Sequence, residues 1–279
     1  MSLHQTPLML DPRAVYAAAL PAMGPLPDTA LRLSDMARDI GACDAAMAEE
    51  LRHEPGLDAK GCGAYLVNRL GYDIGRALAG LDLSGHDLSP LDPDTTGVTS
   101  ALATGEEAGE MYQYLDTGVT LAPCCPSAAL DPAELARLYE ALFTPTVLGV
   151  SAACKLSQGA LWRLVTDGIS AAYLNLGEEA GEVRAAVARA EAILKQRGTR
   201  LFAKQLNFLE VTLPAAENPL GEEIVETFRE RAGCCRYYMT YRSDGDYCGS
   251  CVHRKDRPER FRLSMLHRAR LAAGLPGIF

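Results

Sequence analysis

The chain holds one tryptophan, six phenylalanines and five histidines among 279 residues, and most signatures of a familiar enzyme are missing from it. No G-x-x-x-x-G-K-[ST], H-E-x-x-H or G-x-S-x-G occurs, which removes P-loop phosphate binding, zincin hydrolysis and the esterase elbow. Gly61-Cys62-Gly63-Ala64-Tyr65-Leu66 begins like a dinucleotide fingerprint but lacks the third glycine and a preceding strand. Nothing visible would bind flavin or nicotinamide, so electrons for any redox step must come from outside. No apolar run approaches the ~18 residues of a membrane span, which excludes an integral membrane segment. The opening Met1-Ser2-Leu3-His4-Gln5-Thr6-Pro7 shows neither a basic leader nor a following apolar run with a cleavage site. The expected compartment is therefore the cytoplasm, where thiols stay reduced.

What is present is a chain of ordinary hydrophobicity, 48% apolar, long enough for one large or two modest domains. Its net charge of −9 argues against a nucleic-acid partner. The balance is uneven: residues 231–270 contain ten Lys/Arg and four Asp/Glu, a local +6 against −15 for the remainder. Such a stretch favours anionic partners through its field.

Periodicity predicts a mainly α fold: a multi-helix body over 1–220, with a possible subdomain break at 82–99, and a small irregular C-terminal cluster module over 221–279. Asp11-Pro12 and Asp131-Pro132 each read as a cap followed by proline in the first turn. Apolar residues at three and four predict helices over 28–53 (interrupted at Gly41), 65–78, 100–115, 133–143, 178–197 and 220–231. Residues 146–176, with Trp162, form the most apolar tract and read as one or two buried helices. Residues 201–213 alternate like a strand, and 258–273 predict a basic helix stopped by Gly274. The hexapeptide Gly105-Glu106-Glu107-Ala108-Gly109-Glu110 recurs as Gly177-Glu178-Glu179-Ala180-Gly181-Glu182, but two copies do not make a repeat array.

Nine cysteines are present, and four fall within eighteen residues: Cys234, Cys235, Cys248 and Cys251. Thiolates select zinc or iron–sulfur. A structural zinc usually draws on C-x₂₋₄-C knuckles, which an adjacent pair fits poorly. A [2Fe-2S] cluster offers two irons, so four cysteines can give two thiolates to each. Whether the neighbouring thiolates divide between the irons or share one stays open, as does a structural zinc. Cys124 and Cys125, between Pro123 and Pro126, fit a plain turn, while Cys43, Cys62 and Cys154 fit a core. Glu50-Leu51-Arg52-His53 gives half of a di-iron carboxylate pattern without its second half, and so reads as a solvated helix end. His253 and His267 would be Rieske-like ligands only if two cysteines were missing.

The Cys234-Cys235 pair, the Tyr237-Tyr238 pair after it and the closing Cys248-Gly249-Ser250-Cys251 resemble the C-terminal signature of the FhuF-like ferric siderophore reductases. The close likeness covers about twenty residues. The twelve-residue spacer is longer than the family's usual one, and a longer turn at Ser243-Asp244-Gly245-Asp246 would absorb the difference. The tail of 28 residues beyond Cys251 also exceeds the family pattern. The resemblance implies a [2Fe-2S] cluster on these four cysteines. It implies a ferric siderophore as substrate, and a ferredoxin or flavin reductase as external donor. Arg236, Arg242, Arg254, Lys255 and Arg257 surround the cysteines in sequence and are candidates for docking the chelate or the donor. The other expectations are a zinc-stapled scaffold without redox activity, and an iron–sulfur electron-transfer partner in another pathway.

Overall fold

The computed structural model describes residues 11–107 and 110–278. Asp11 caps α1 (Pro12–Ala18) by accepting from the Arg13 N–H, with proline in the first turn. Short strands β1 (Ala22–Met23) and β2 (Leu31–Arg32) follow. The segment 28–53 is not one interrupted helix: after β2 come a single-turn α2 (Asp35–Arg38) and then α3 (Ile40–His53). Asp39 makes the break. Its backbone is extended, and its carboxylate accepts from Gly41 N–H at 2.8 Å, a local bond that restarts the helix rather than continuing it. Glu50 is also not at a solvated end; it is buried, paired with Arg69 at 2.7 Å.

Asp58 caps α4 (Ala59–Leu83), which extends beyond the expected 65–78 at both ends. Among the described residues, 100–107 and 110–115 are not helical but belong to a long hairpin of β3 (Gly97–Glu107) and β4 (Glu110–Leu121), paired from Gly97↔Thr120 to Glu107↔Glu110; residues 108–109 lie outside the described residues. The Ala and Glu residues that suggested a helix sit toward its far end. Val98↔Val119 and neighbouring threonines fix the register at its base, where the β-branched side chains are. β1 joins the outer edge of β4 in parallel, and β2 joins β3 antiparallel.

The apolar tract becomes α5 (Pro132–Cys154) and α6 (Gln158–Ala180). The expected helix over 178–197 is broken at Gly181, which takes φ 70°. There the Glu182 N–H reaches Gly177 C=O at 2.7 Å, the closing bond of a Schellman turn, and α7 (Val183–Leu194) begins anew. The recurring hexapeptide thus gives strand in its first copy and a helix end in its second, residues 108–109 of the first lying outside the described residues. β5 (Asn207–Leu213) fulfils the alternation of 201–213. The expected helix over 220–231 is instead β6 (Ile224–Glu230), paired along its whole length with β5. Ile224, Thr227 and Phe228 are strand formers, and the interleaved Glu and Arg mimic a helical surface. An irregular stretch follows, with two 3-10 turns at Tyr237–Met239 and Tyr241–Ser243, before α8 (Arg257–Ala272). The fold is mainly helical with small sheets, and among the described residues no helix is long and apolar enough to cross a membrane.

The main core gathers α1 and α3 to α7, and its densest line is the crossing of α4 over α6. Gly168 meets Gly71 there; a Cβ on Gly168 would stand 2.4 Å from the Gly71 carbonyl carbon, so no larger residue fits. A smaller cluster joins α8 to the β5–β6 hairpin through Val211, Leu213, Phe261 and Met265. Phe228 stacks on Phe261 with ring centres 4.5 Å apart.

Arg69 serves two acids, Glu50 at 2.7 Å and Asp73 at 3.7 Å. Burial pushes Asp73 up to about 6 despite the pull of Arg69. A carboxyl raised in the folded state contributes stability below its unfolded value of ~3.9 that is lost as pH rises toward the folded value. Asp73→Asn should therefore raise the urea midpoint over the parent at neutral pH, with the gain shrinking as pH falls through about 6 toward ~4. Equal midpoints across that range would contradict the assignment.

Candidate metal centre

The centre is built from a buried carboxylate outward. Asp167, in the middle of α6, has no exposed surface. Its oxygens accept from Ala232 N–H at 2.7 Å and Gly233 N–H at 2.9 Å, and Arg231 Nε lies at 3.3 Å. These bonds fasten the chain leaving β6 against the helical body just before the cysteine pair. Gly233 is required by the close approach: an added Cβ would come 3.0 Å from Leu164 Cδ2 and 3.2 Å from the Asp167 carboxylate. Arg231 then branches, donating to Asn68 Oδ1 on α4 at 2.7 Å and to Cys235 Sγ at 3.2 Å. Arg229 lies alongside, donating to the Asp167 carbonyl.

The turn after the pair is unusual. Arg236 adopts φ 62°, a left-handed conformation that a residue with a side chain holds only when its surroundings enforce it. The Arg236 guanidinium reaches Asp58, the cap of α4, at 2.8 Å. The spacer turn is where the sequence predicts it: Asp244 and Gly245 both take positive φ, and Asp246 N–H closes on Ser243 C=O at 2.8 Å. The second pair sits on a tight loop, with Cys251 N–H on Cys248 C=O at 3.0 Å. Arg254 ties this loop down, donating to Tyr247 C=O at 2.7 Å and Cys248 C=O at 3.1 Å while pairing with Asp246 at 2.7 Å. Tyr247 stacks edge-on against Tyr238, ring centres 5.5 Å apart, joining the two halves.

The two cysteine pairs approach each other at Cys235 and Cys248, whose side chains share a hydrogen bond. Among the described residues, however, no three or more His, Cys, Asp or Glu side chains stand ready as a metal shell. The thiols are adjacent in pairs rather than converged. The Cys248 hydrogen bond and then the Arg231 guanidinium hold the Cys235 thiol well below its ordinary range, against the effect of burial. The Cys248 thiol is raised, as the donor in that bond, and burial raises Cys234. Burial lowers Arg229 to about 10, with Asp167 opposing.

No family model, curated protein or solved structure matches the chain. The reading of this region therefore rests on its own chemistry. Four sulfurs, two buried and two half-buried, form a soft donor set that fits an iron–sulfur cluster or zinc in kind. The other cysteines stand apart from it. Cys124 is buried and Cys125 exposed in the extended segment after β4, and Cys43, Cys62 and Cys154 are core residues with thiols raised by burial. His253 is exposed against Tyr247, and His267 Nδ1 accepts from Ile278 N–H.

The candidate docking cations are mostly engaged locally. Besides Arg254, whose side chain is only 9% exposed, Arg257 pairs with Glu230 at 3.0 Å, and Arg236 with Asp58. Lys255 is exposed. Arg242 lies in the second 3-10 turn, and its side chain is outside the described residues. Sequence reasoning missed Asp167, Asn68, Tyr65 and Arg229. Tyr65, partly buried, has its hydroxyl raised by burial and by the charges of Cys235 and Glu54. The available signal was Asp167 itself, a lone carboxylate inside the most apolar tract, which must find partners when buried.

Removing that carboxylate strands two arginines. Asp167→Ala should cost about 3–5 kcal/mol in urea unfolding, the usual penalty for breaking a buried charge pair. Asp167→Asn, which keeps one acceptor, should cost less. Both should speed alkylation of Cys235 in the apo chain. A loss below about 0.5 kcal/mol for Asp167→Ala would show that the anchor is dispensable.

Proposed function

We propose that the chain is a cytoplasmic ferric siderophore reductase whose C-terminal module carries a [2Fe-2S] cluster on Cys234, Cys235, Cys248 and Cys251. The observations behind the reading are the four-cysteine pattern across a twelve-residue spacer, the approach of its two pairs at Cys235 and Cys248, and a buried arginine that bonds Cys235 Sγ. The likeness of this pattern to the FhuF-like signature supports it. When bound, such a cluster would take one electron from an external ferredoxin or flavin reductase and supply it to Fe(III) of the chelate, which becomes Fe(II). Hard oxygen ligands hold Fe(II) far less tightly than Fe(III), so the metal is released.

The protein's own residues contribute position and electrostatics. Asp167 and Gly233 set where the first cysteine pair lies. Arg254 sets the second. Arg231 places a cationic N–H on Cys235 Sγ, which favours the more negative state of anything those sulfurs hold. No general acid, base or covalent nucleophile is needed for a one-electron transfer.

Anaerobic purification tests the assignment. The protein should be brown, with visible absorption and a paramagnetic signal on reduction; a colourless zinc protein would overturn it. A coloured protein that reduces no ferric chelate would instead support an electron-transfer partner. Cys→Ser at any of the four positions should remove most of the iron, while Cys124→Ser and Cys125→Ser should retain it. Equal loss at Cys124 would refute the ligand set. Arg231→Lys keeps a charge for Asp167 but loses the planar fork that spans Asp167, Asn68 and the sulfur. Its midpoint potential should fall while iron content holds, and an unchanged potential would exclude the arginine from tuning.

A further inference from the structure

A cleft of about 820 Å³ opens beside the second cysteine pair. Its floor is β6 and its sides are α6 and α8, and Gly249 and Ser250, the residues between Cys248 and Cys251, close one end. That volume lies within the ~300–1,000 Å³ range of small-molecule sites. Arg260 and Arg268 project from α8, Arg229 lies at the back, and Asn175 and Ser264 add polar groups.

The charges here are arranged along the groove. The cleft shares Glu178, Glu226 and Thr227 with a neighbouring hollow of about 960 Å³. In that hollow Glu191 and Glu210 join the shared acids, and Arg184 is the basic lining residue. Arg268 stands at the shared end against Glu226, and Arg260, beside Asp246, lies toward the cysteine loop. Arg268 is half exposed and is held by Glu226 and by Ser264 Oγ, the latter at 2.9 Å. Arg260 lies 3.5 Å from Asp256 and 3.8 Å from Asp246, separations loose enough to leave its donors available. Arg229, at the cleft, bonds the Asp167 carbonyl and pairs with its carboxylate, which also holds the chain just before the first cysteine pair.

We propose that this cleft is the binding site for the electron acceptor, an oxygen-rich ferric chelate carrying net negative charge, with Arg260 and Arg268 as its cationic side and Gly249-Ser250 as its edge toward the sulfurs. The inference rests on the reductase reading for the identity of the ligand. Glu178 and Glu226 at the shared end, with Glu191 and Glu210 beyond it, favour an anion at the Arg260 end of the cleft, where Gly249 and Ser250 also lie. Arg236, Arg254, Lys255 and Arg257, the basic residues nearest the cysteines in sequence, do not line the cleft. Binding falls to arginines that the linear pattern did not single out.

Gallium(III) accepts no electron under these conditions, so binding of a gallium tricatecholate of charge −3 to the full chain separates docking from reduction. Calorimetric titration of the parent protein should show binding. Arg260→Gln and Arg268→Gln should each weaken it by about tenfold, with part of the parent's affinity lost as salt rises. Ser264→Trp, which fills the cleft without removing a charge, should weaken it as strongly, and a neutral gallium trihydroxamate should be insensitive to the two arginine changes. Lys255→Gln should leave the affinity within about twofold. No binding to the parent, equal affinity in all variants, or a loss confined to Lys255→Gln would each overturn the site. If the gallium chelate binds as expected but the ferric analogue is never reduced, the cleft stands and the reductase reading falls.

Discussion

Everything at the C-terminal end depends on one buried carboxylate. Asp167 is fully enclosed, and an isolated charge in such a place would cost several kcal/mol. It is sustained by two backbone N–H groups and two guanidiniums, all from residues 229–233. The bonds run in both directions: they stabilise the acid, and they fix where the chain enters the cysteine segment. Asp167 also adjoins Gly168, the point at which α6 touches Gly71 of α4. Arg231 bonds Asp167 on one helix and Asn68 on the other, so it straddles the crossing. The position of Cys235 is therefore set by the close crossing of α4 and α6. A loop alone would not hold it so.

Charge in the C-terminal segment illustrates the difference between a sequence total and a field. The +6 of residues 231–270 suggests a basic surface. In the fold, Arg229 and Arg231 turn inward to Asp167, Arg254 turns to carbonyls of the cysteine loop, and Arg257 crosses to Glu230. These cations act as struts. The ones left facing a cavity are on α8, where Arg260 and Arg268 stand two turns apart on one face. Long-range attraction of an anion follows from where charge is exposed, and paired or buried charge contributes little to it.

The sequence was most informative where local chemistry decides the outcome. Cap-and-proline pairs located α1 and α5, the stripe through Leu66, Leu70, Ile74 and Leu78 located α4, and the basic run ending at Gly274 located α8. The cysteine spacing drew attention to two pairs that approach each other at Cys235 and Cys248. It failed where pairing partners decide. Residues 100–107 and 110–115 carry helix-forming Ala, Leu and Glu, yet they pair across the hairpin, with most of the β-branched residues at its base. Residues 224–230 are strand because β5 lies beside them and α8 covers the face bearing Phe228. Asp167 stands out as a lone carboxylate in an apolar tract, but its donors, more than sixty residues later, could not be read from the sequence. Such long-range compensation leaves no periodicity to read.

The cysteine loop itself shows how burial and access are reconciled. In each pair one member is buried, Cys235 at 9% and Cys251 at 4% exposure, while Cys234 and Cys248 are half-buried. Cys235 bonds Arg231 and packs into the main core, which fixes it. Gly249 and Ser250 line the cleft on the other side of the loop. A Cβ added at Gly249 would meet nothing within 4 Å, and its φ is not left-handed, so neither packing nor backbone strain demands glycine there. The consequence of the small residue is a thin wall between the sulfurs and the cleft lined by Arg260 and Arg268. Under the reductase reading proposed above, transfer to an external metal would fall steeply with separation, so a wall of minimal side chains would favour exchange while Cys235 and Cys251 stay buried. Rigidity on the Asp167 side and openness on the Gly249 side would then be two requirements of one site.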